Sequence, residues 1–173
     1  LKFSKNKCAL AALEMAVLDS LTQEWGIPLY KFLGAGRRKI ASDITIVISD
    51  IEDAVCNARK FFKRGFRAFK IKIGKDFDAD LKRVRAVKKA VLGSAVYLDA
   101  NQGYSCAQAL EFLKRLESRG IKPQLFEQPL FKSDLEGMSR LASLSDVPIC
   151  ADESVASLKD AREAIRRKSC DVL

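Results

Sequence analysis

Histidine is absent from this chain. That removes Ser-His-Asp and Cys-His nucleophile pairs and every His-liganded metal site, so acid and base work near neutral pH falls to Lys, Asp, Glu, Tyr or Cys. Long apolar runs are also missing, since none approaches the roughly 18 to 20 residues of a membrane span. Residues 1–25 lack the layout of a signal peptide. The expectation is a soluble, cytoplasmic chain with no membrane partner. The five cysteines are odd in number and show no C-x-x-C spacing, which argues against a disulfide framework or a zinc knuckle and leaves small buried thiols. No Gly-rich phosphate loop follows the first strand, and Gly34-Ala35-Gly36 follows a helix instead, which weakens a dinucleotide-binding reading.

What remains is enough for one good core: 173 residues, of which 48% are hydrophobic. The net charge of +9, from 31 basic and 22 acidic residues, raises the possibility of a polyanion partner. The basic residues, however, concentrate in helix-like stretches at 59–67, 82–89 and 162–168. Those read as solvated outer faces, so no nucleic acid is expected as a partner.

The order of the chain is regular. Leu10, Leu13, Val17 and Leu21 recur at helical spacing before Gly26 and Pro28 stop the helix, and residues 28–40 read as a connector. Asp43-Ile44-Thr45-Ile46-Val47-Ile48 is a β-branched strand, followed by a helix with Ile51, Val55, Ala58 and Phe62 on one face. Gly65 closes that helix and leads into Phe66 to Gly74, where Phe69, Ile71 and Ile73 share one strand face while Lys70 and Lys72 share the other. Asp76, Asp78 and Asp80 favour the start of a helix striped by Leu81, Val84, Val87 and Val91. Val96-Tyr97-Leu98-Asp99, Gln124-Leu125-Phe126-Glu127 and Pro148-Ile149-Cys150-Ala151-Asp152 read as the next strands, and Asp171-Val172-Leu173 begins a sixth. Between them lie helices carrying Leu110, Leu113 and Leu116, then Leu135, Met138, Leu141 and Leu144, then Ala161, Ala164 and Ile165, with Ser105 and Ser157 as caps.

Apolar strands alternating with helices at intervals of about 24 to 28 residues indicate a parallel sheet covered by helices. The alternatives are an open doubly wound sheet and a closed barrel. A barrel needs eight units and about 250 residues, so six strands here predict a (β/α) barrel cut short, residues 41–173, preceded by the end of a capping region and connector, residues 1–40. The chain reads as a fragment, and the open strand edges of such a fragment predict association into homo-oligomers.

Chemistry in parallel α/β folds gathers at the carboxyl ends of the strands. Polar residues appear there on otherwise apolar strands: Lys70 and Lys72, then Asp99 and Asn101, then Glu127, then Asp152 and Glu153. Three carboxylates delivered to one rim repel one another unless neutralised, and Mg²⁺ with oxygen ligands does this while keeping places for substrate. A lysine beside such an ion can take the proton α to a substrate carboxylate, the ion offsetting the charge of the enediolate. Crowding with one another and with the Mg²⁺ ion is expected to lower the lysine pKa values, with Lys72, nearer the strand end, as base and Lys70 tuning its charge or orienting substrate.

Lys70-Ile71-Lys72, Asp99-Ala100-Asn101-Gln102-Gly103, Glu127-Gln128-Pro129 and Ala151-Asp152-Glu153-Ser154 resemble the enolase superfamily, in its muconate-lactonizing subgroup and most closely the dipeptide epimerases. That superfamily is known for a Lys or His base working with Mg²⁺. The resemblance implies Asp99, Glu127 and Asp152 as Mg²⁺ ligands, Lys72 as one acid/base with Lys70 as its partner, and Thr45 as a substrate contact. Asn101 and Glu153 would hold ligands in place. It also implies a small-molecule carboxylate substrate, a dipeptide, with cycloisomerisation of the muconate type or N-acylamino-acid racemisation as alternatives. A noncatalytic binding module on a decayed barrel is a reading from another class. The opposing lysine of the family is expected just beyond Leu173, so the isolated chain is expected not to epimerise anything.

Overall fold

The sheet begins where β-branched residues begin. In this computed structural model, which describes residues 6–37 and 39–173, the chain divides into two units between Ala41 and Ser42. In the first unit α1 (Lys7–Glu24) starts at Asn6, whose side chain accepts from the Ala9 amide, and α2 (Leu29–Phe32) follows Pro28. The apolar stripe of α1 does not find the expected cover. Leu10, Leu13 and Val17 stay exposed, since among the described residues of its own unit the four-residue α2 and the connector offer it little to pack on.

The second unit runs β1 (Ile44–Ile46), α3 (Ile51–Lys63), β2 (Ala68–Lys72), α4 (Phe77–Ala90), β3 (Ala95–Asp99), α5 (Cys106–Glu117), β4 (Leu125–Glu127), α6 (Leu135–Leu144), β5 (Ile149–Cys150) and α7 (Leu158–Arg167). All five strands are parallel, in the order β1-β2-β3-β4-β5. A doubly wound sheet reverses its strand order at a switch point, and this one never does. Winding in a single direction is the start of a (β/α) barrel. The expected sixth strand is reduced to one parallel bridge between Cys150 and Val172.

Register rows explain the two faces. Ile46, Ile71, Leu98, Phe126 and Ile149 pair in one row and are all buried beneath the helices. Phe69 and Val96 lie one step before, on the same face, and are also buried. The helices answer with Ala58, Val84, Val87, Phe112, Leu116, Met138 and Leu141. Phe77, Tyr104, Phe112 and Phe126 add edge-on and tilted ring contacts in this layer. Leu144, expected in the α6 stripe, is exposed because it ends its helix.

Each barrel-type helix starts at a residue suited to capping. Asp50, Asp76, Ser105, Asp134 and Ser157 each accept from an amide three residues on, and Ser105 forms a reciprocal box with Gln108. Asp80 does not simply favour the helix dipole, as its position suggested. It is fully buried, and its Oδ2 accepts from the Gly74 and Lys75 amides and the Tyr104 hydroxyl while Oδ1 takes Arg83. The loop after β2 also meets the turn after β3 closely. Gly74 sits at φ 102°, and a Cβ there would come within 2.2 Å of the Ala100 carbonyl oxygen, so only glycine fits.

Two further expectations change. Cys8 and Cys56 are exposed rather than buried, since both lie on outward helix faces, while Cys150 is buried. Among the described residues no helix is long and apolar enough to cross a membrane.

Candidate functional site

One row of the sheet carries the chemistry. Lys72 pairs with Asp99, Asp99 with Glu127, and Glu127 with Cys150, which places these side chains on the face opposite the helices at the carboxyl ends of β2 to β5. One step earlier, Thr45 pairs with Lys70 and Lys70 with Tyr97 on the same face. The lysines are neither free in water nor buried alone. Lys72 Nζ donates to Asp99 Oδ2 at 2.6 Å and to Asn101 Oδ1 at 2.7 Å. Lys70 Nζ lies 3.2 Å from both Glu127 carboxylate oxygens and 3.2 Å from Asp99 Oδ2. Asp99 is completely buried between them.

Asn101 occupies a turn at φ 42° and joins the strand ends. Besides accepting from Lys72, it donates through Nδ2 to Glu153 Oε1 at 3.2 Å, and its backbone amide donates to Asp99 Oδ1. Asp152 lies just past β5, exposed, with its amide held by the Gln128 side chain. The structure thus gathers Lys70, Lys72, Asp99, Asn101, Glu127 and Glu153 into one hydrogen-bonded set, with Asp152 at its edge. Thr45 shares the face of Lys70 through register alone.

The electrostatics reflect the crowding. Burial pushes the Glu127 carboxyl up, Asp99 and Asp152 add to the rise, and Lys70 opposes it. The Asp152 carboxyl is likewise raised, first by burial, then by Glu153 and Asp99. For Lys70, burial lowers the pKa, but the hydrogen bonds and charges of Glu127 and Asp99 outweigh it and the net direction is up. The groups closest to Lys70 are carboxylates, which favour its charged form. Cys150, which sequence reasoning treated as packing, faces the same site, and burial followed by the Glu127 charge pushes its thiol up to about 11.

Fit to a divalent cation can be judged from these residues. Asp99, Glu127 and Asp152 are oxygen donors whose mutual repulsion a hard cation relieves, and Glu153 Oε2 is buried without a partner. The gap between Asp99 and Glu127 already holds positive charge in the form of the Lys70 ammonium. Among the described residues no group of three His, Cys, Asp or Glu side chains stands ready-made around one point. The donor set fits Mg²⁺ in its chemistry, with the lysine filling the gap between two of its members.

Known proteins share this arrangement of chain. The chain is 46% identical to a hydrophobic dipeptide epimerase of Citrifermentans bemidjiense over 171 residues, covering 94% of this chain and 46% of that protein. It superposes with a TM-score of 0.89 on the substrate-liganded L-Ala-D/L-Glu epimerase of Bacillus subtilis, at 35% identity over 93% of this chain and 46% of that one. A dipeptide epimerase of Enterococcus faecalis complexed with Mg and the dipeptide L-Leu-L-Tyr gives a TM-score of 0.84 at 32% identity, covering 90% and 44%. The chain therefore spans about half the length of the curated relatives it matches. Residues 53–173, from α3 through the last strand-end carboxylate to Leu173, match the enolase C-terminal domain-like family model. A sheet wound in one direction, with its polar residues collected at the strand ends, is thus accounted for by descent: the chain belongs to the enolase C-terminal domain-like family.

Proposed function

We propose that the protein carrying this chain is a Mg²⁺-dependent isomerase that moves the proton α to a carboxylate, with dipeptides as the substrate class and epimerisation as the reaction. The observation that carries this reading is the contact of Lys72 with Asp99 and Asn101 at the rim where Glu127 ends β4 and Asp152 follows β5. The dipeptide epimerase relatives, one of them complexed with Mg and a dipeptide, support the substrate class and the metal. Asp99, Glu127 and Asp152 would hold the ion. Bound there, Mg²⁺ supplies positive charge opposite the substrate carboxylate as negative charge develops on it.

The chain's own residues perform the first of the two proton transfers that epimerisation needs, removal from one face of the α carbon. Lys72, as the neutral amine, takes the α proton and becomes an ammonium, while the electron pair left behind moves into the substrate carboxylate. Asn101 fixes the Lys72 nitrogen through its Oδ1 and is itself fixed by Glu153. Lys70 carries positive charge beside the developing negative charge. Thr45, in register with Lys70, contributes a hydroxyl on the substrate side.

The test is solvent exchange. The protein carrying this chain is incubated in D₂O with Mg²⁺ and either L-Ala-L-Glu or L-Leu-L-Tyr, and the α proton of the second residue is followed by NMR. Deuterium incorporation that requires Mg²⁺ is expected. Absence of exchange with either dipeptide under conditions where Mg²⁺ is bound would contradict the proposed activity.

A further inference from the structure

We infer that Gln128 is the positioning residue that sets the three strand-end carboxylates in place, an inference that rests on the proposed cation site. Gln128 directly follows Glu127, is completely buried, and holds the left-handed backbone value φ 33°. Its amide is saturated. Nε2 donates to the Leu130 carbonyl at 2.9 Å and to Ser154 Oγ at 2.8 Å, and Oε1 accepts from the Asp152 amide at 2.9 Å and the Ser154 amide at 3.1 Å. A carboxamide offers two donors and two acceptor positions, and all four are used. The two backbone N–H groups require an oxygen on one side and the Leu130 carbonyl requires a nitrogen on the other, so the partners also fix which way the amide points.

The backbone of Gln128 extends the same role. Its amide donates to the Cys150 carbonyl at 2.9 Å, and its carbonyl accepts from the Gln102 amide at 2.8 Å. One residue therefore bonds to the loops after β3, β4 and β5, of which the first carries Asn101, the second follows Glu127 and the third carries Asp152. Asp99 joins the same set through the Ala100 amide, which donates to the Glu127 carbonyl at 3.1 Å. Replacement types are narrowly limited. Asparagine is one methylene too short to span from β4 to Asp152, glutamate removes the donor to Leu130 and adds negative charge beside three carboxylates, and methionine matches the volume but makes none of the four bonds.

Groups that hold metal ligands in place lower metal affinity about 10- to 100-fold when removed. The test is titration with Mn²⁺, following the free ion by electron paramagnetic resonance, at temperatures where circular dichroism shows each variant folded. Wild type is expected to bind one ion, Asp99→Ala none, and Gln128→Met about 10- to 100-fold more weakly than wild type. Leu116→Ala, a core change in α5, is expected to lower the melting temperature and leave Mn²⁺ affinity unchanged, which separates lost positioning from lost stability. Should Gln128→Met fail to fold, Ser154→Ala decides. It removes one of the four bonds and is expected to weaken binding about 2- to 10-fold, the equivalent of one hydrogen bond. Wild-type affinity in Gln128→Met, or in Ser154→Ala if it must substitute, alongside loss of binding in Asp99→Ala overturns the inference and leaves the cation site standing. No binding by wild type, or unchanged binding in Asp99→Ala, overturns the cation site and the inference with it.

Discussion

Lys72→Ala is expected to reduce Mg²⁺-dependent exchange of the dipeptide α proton by about 10²- to 10⁴-fold, the usual contribution of a positioned acid or base. The size of the effect follows from placement. Lys72 is the last residue of β2, its side chain is part exposed, and it is held by Asp99 and Asn101 at the rim where substrate would approach. Lys72→Arg should fail almost as completely. A guanidinium keeps the positive charge but does not give up its proton, so this variant separates charge from basicity. Folding should be little changed in both, since the Lys72 side chain lies on the face away from the helix layer. Exchange at the wild-type rate in Lys72→Ala would remove Lys72 from the base role.

The largest expected effect on stability lies one loop away. Asp80→Ala should cost about 3 to 5 kcal/mol, because it strands the buried Arg83 guanidinium. It also leaves the Gly74 and Lys75 amides and the Tyr104 hydroxyl without their acceptor. Burial and the Asp80 charge together push the Tyr104 phenol well up, so that hydroxyl remains a donor throughout the working pH range. Tyr104→Phe removes only one of these bonds, to a charged acceptor, and should cost about 1.5 to 3 kcal/mol. Against a typical total of about 5 to 15 kcal/mol, Asp80→Ala leaves the chain marginal. Urea unfolding followed by circular dichroism measures both, and a loss under about 1 kcal/mol for Asp80→Ala would contradict the role of this carboxylate. The consequence reaches the site, since the loop that Asp80 holds begins two residues after Lys72 and packs its Gly74 against the turn bearing Asn101.

The elements that were legible in the sequence share one property: their signals are local. β-Branched runs, helix stripes such as Leu81, Val84 and Val87, and caps at Asp76, Ser105 and Ser157 depend on neighbours within a few residues, and each appears in the structure. The strand-end carboxylates were legible for the same reason, since a charge closing an apolar strand is visible along the chain. What was not legible depends on residues far apart. Asp80 looks like any acid in a first helical turn, and only Tyr104 and Gly74, folded against it, make it a buried acceptor. Gln128 looks like a polar residue after a strand, and only the β5 loop gives its amide four partners. The raised Lys70 pKa likewise follows from Glu127, 57 residues away, lying within hydrogen-bond reach. Edge strands were overestimated in length, as β1 keeps Ile44–Ile46 and β5 keeps Ile149–Cys150. Pairing, not propensity, sets where a strand ends.

Anomalous diffraction from crystals grown with Mn²⁺ tests the cation site most directly. One ion is expected with carboxylate oxygens of Asp99, Glu127 and Asp152 at about 2.1 Å, and with Lys70 Nζ displaced from its place between Asp99 and Glu127. An ordered ion held elsewhere, or well-ordered Asp99, Glu127 and Asp152 with Lys70 still between them at saturating Mn²⁺, would contradict it.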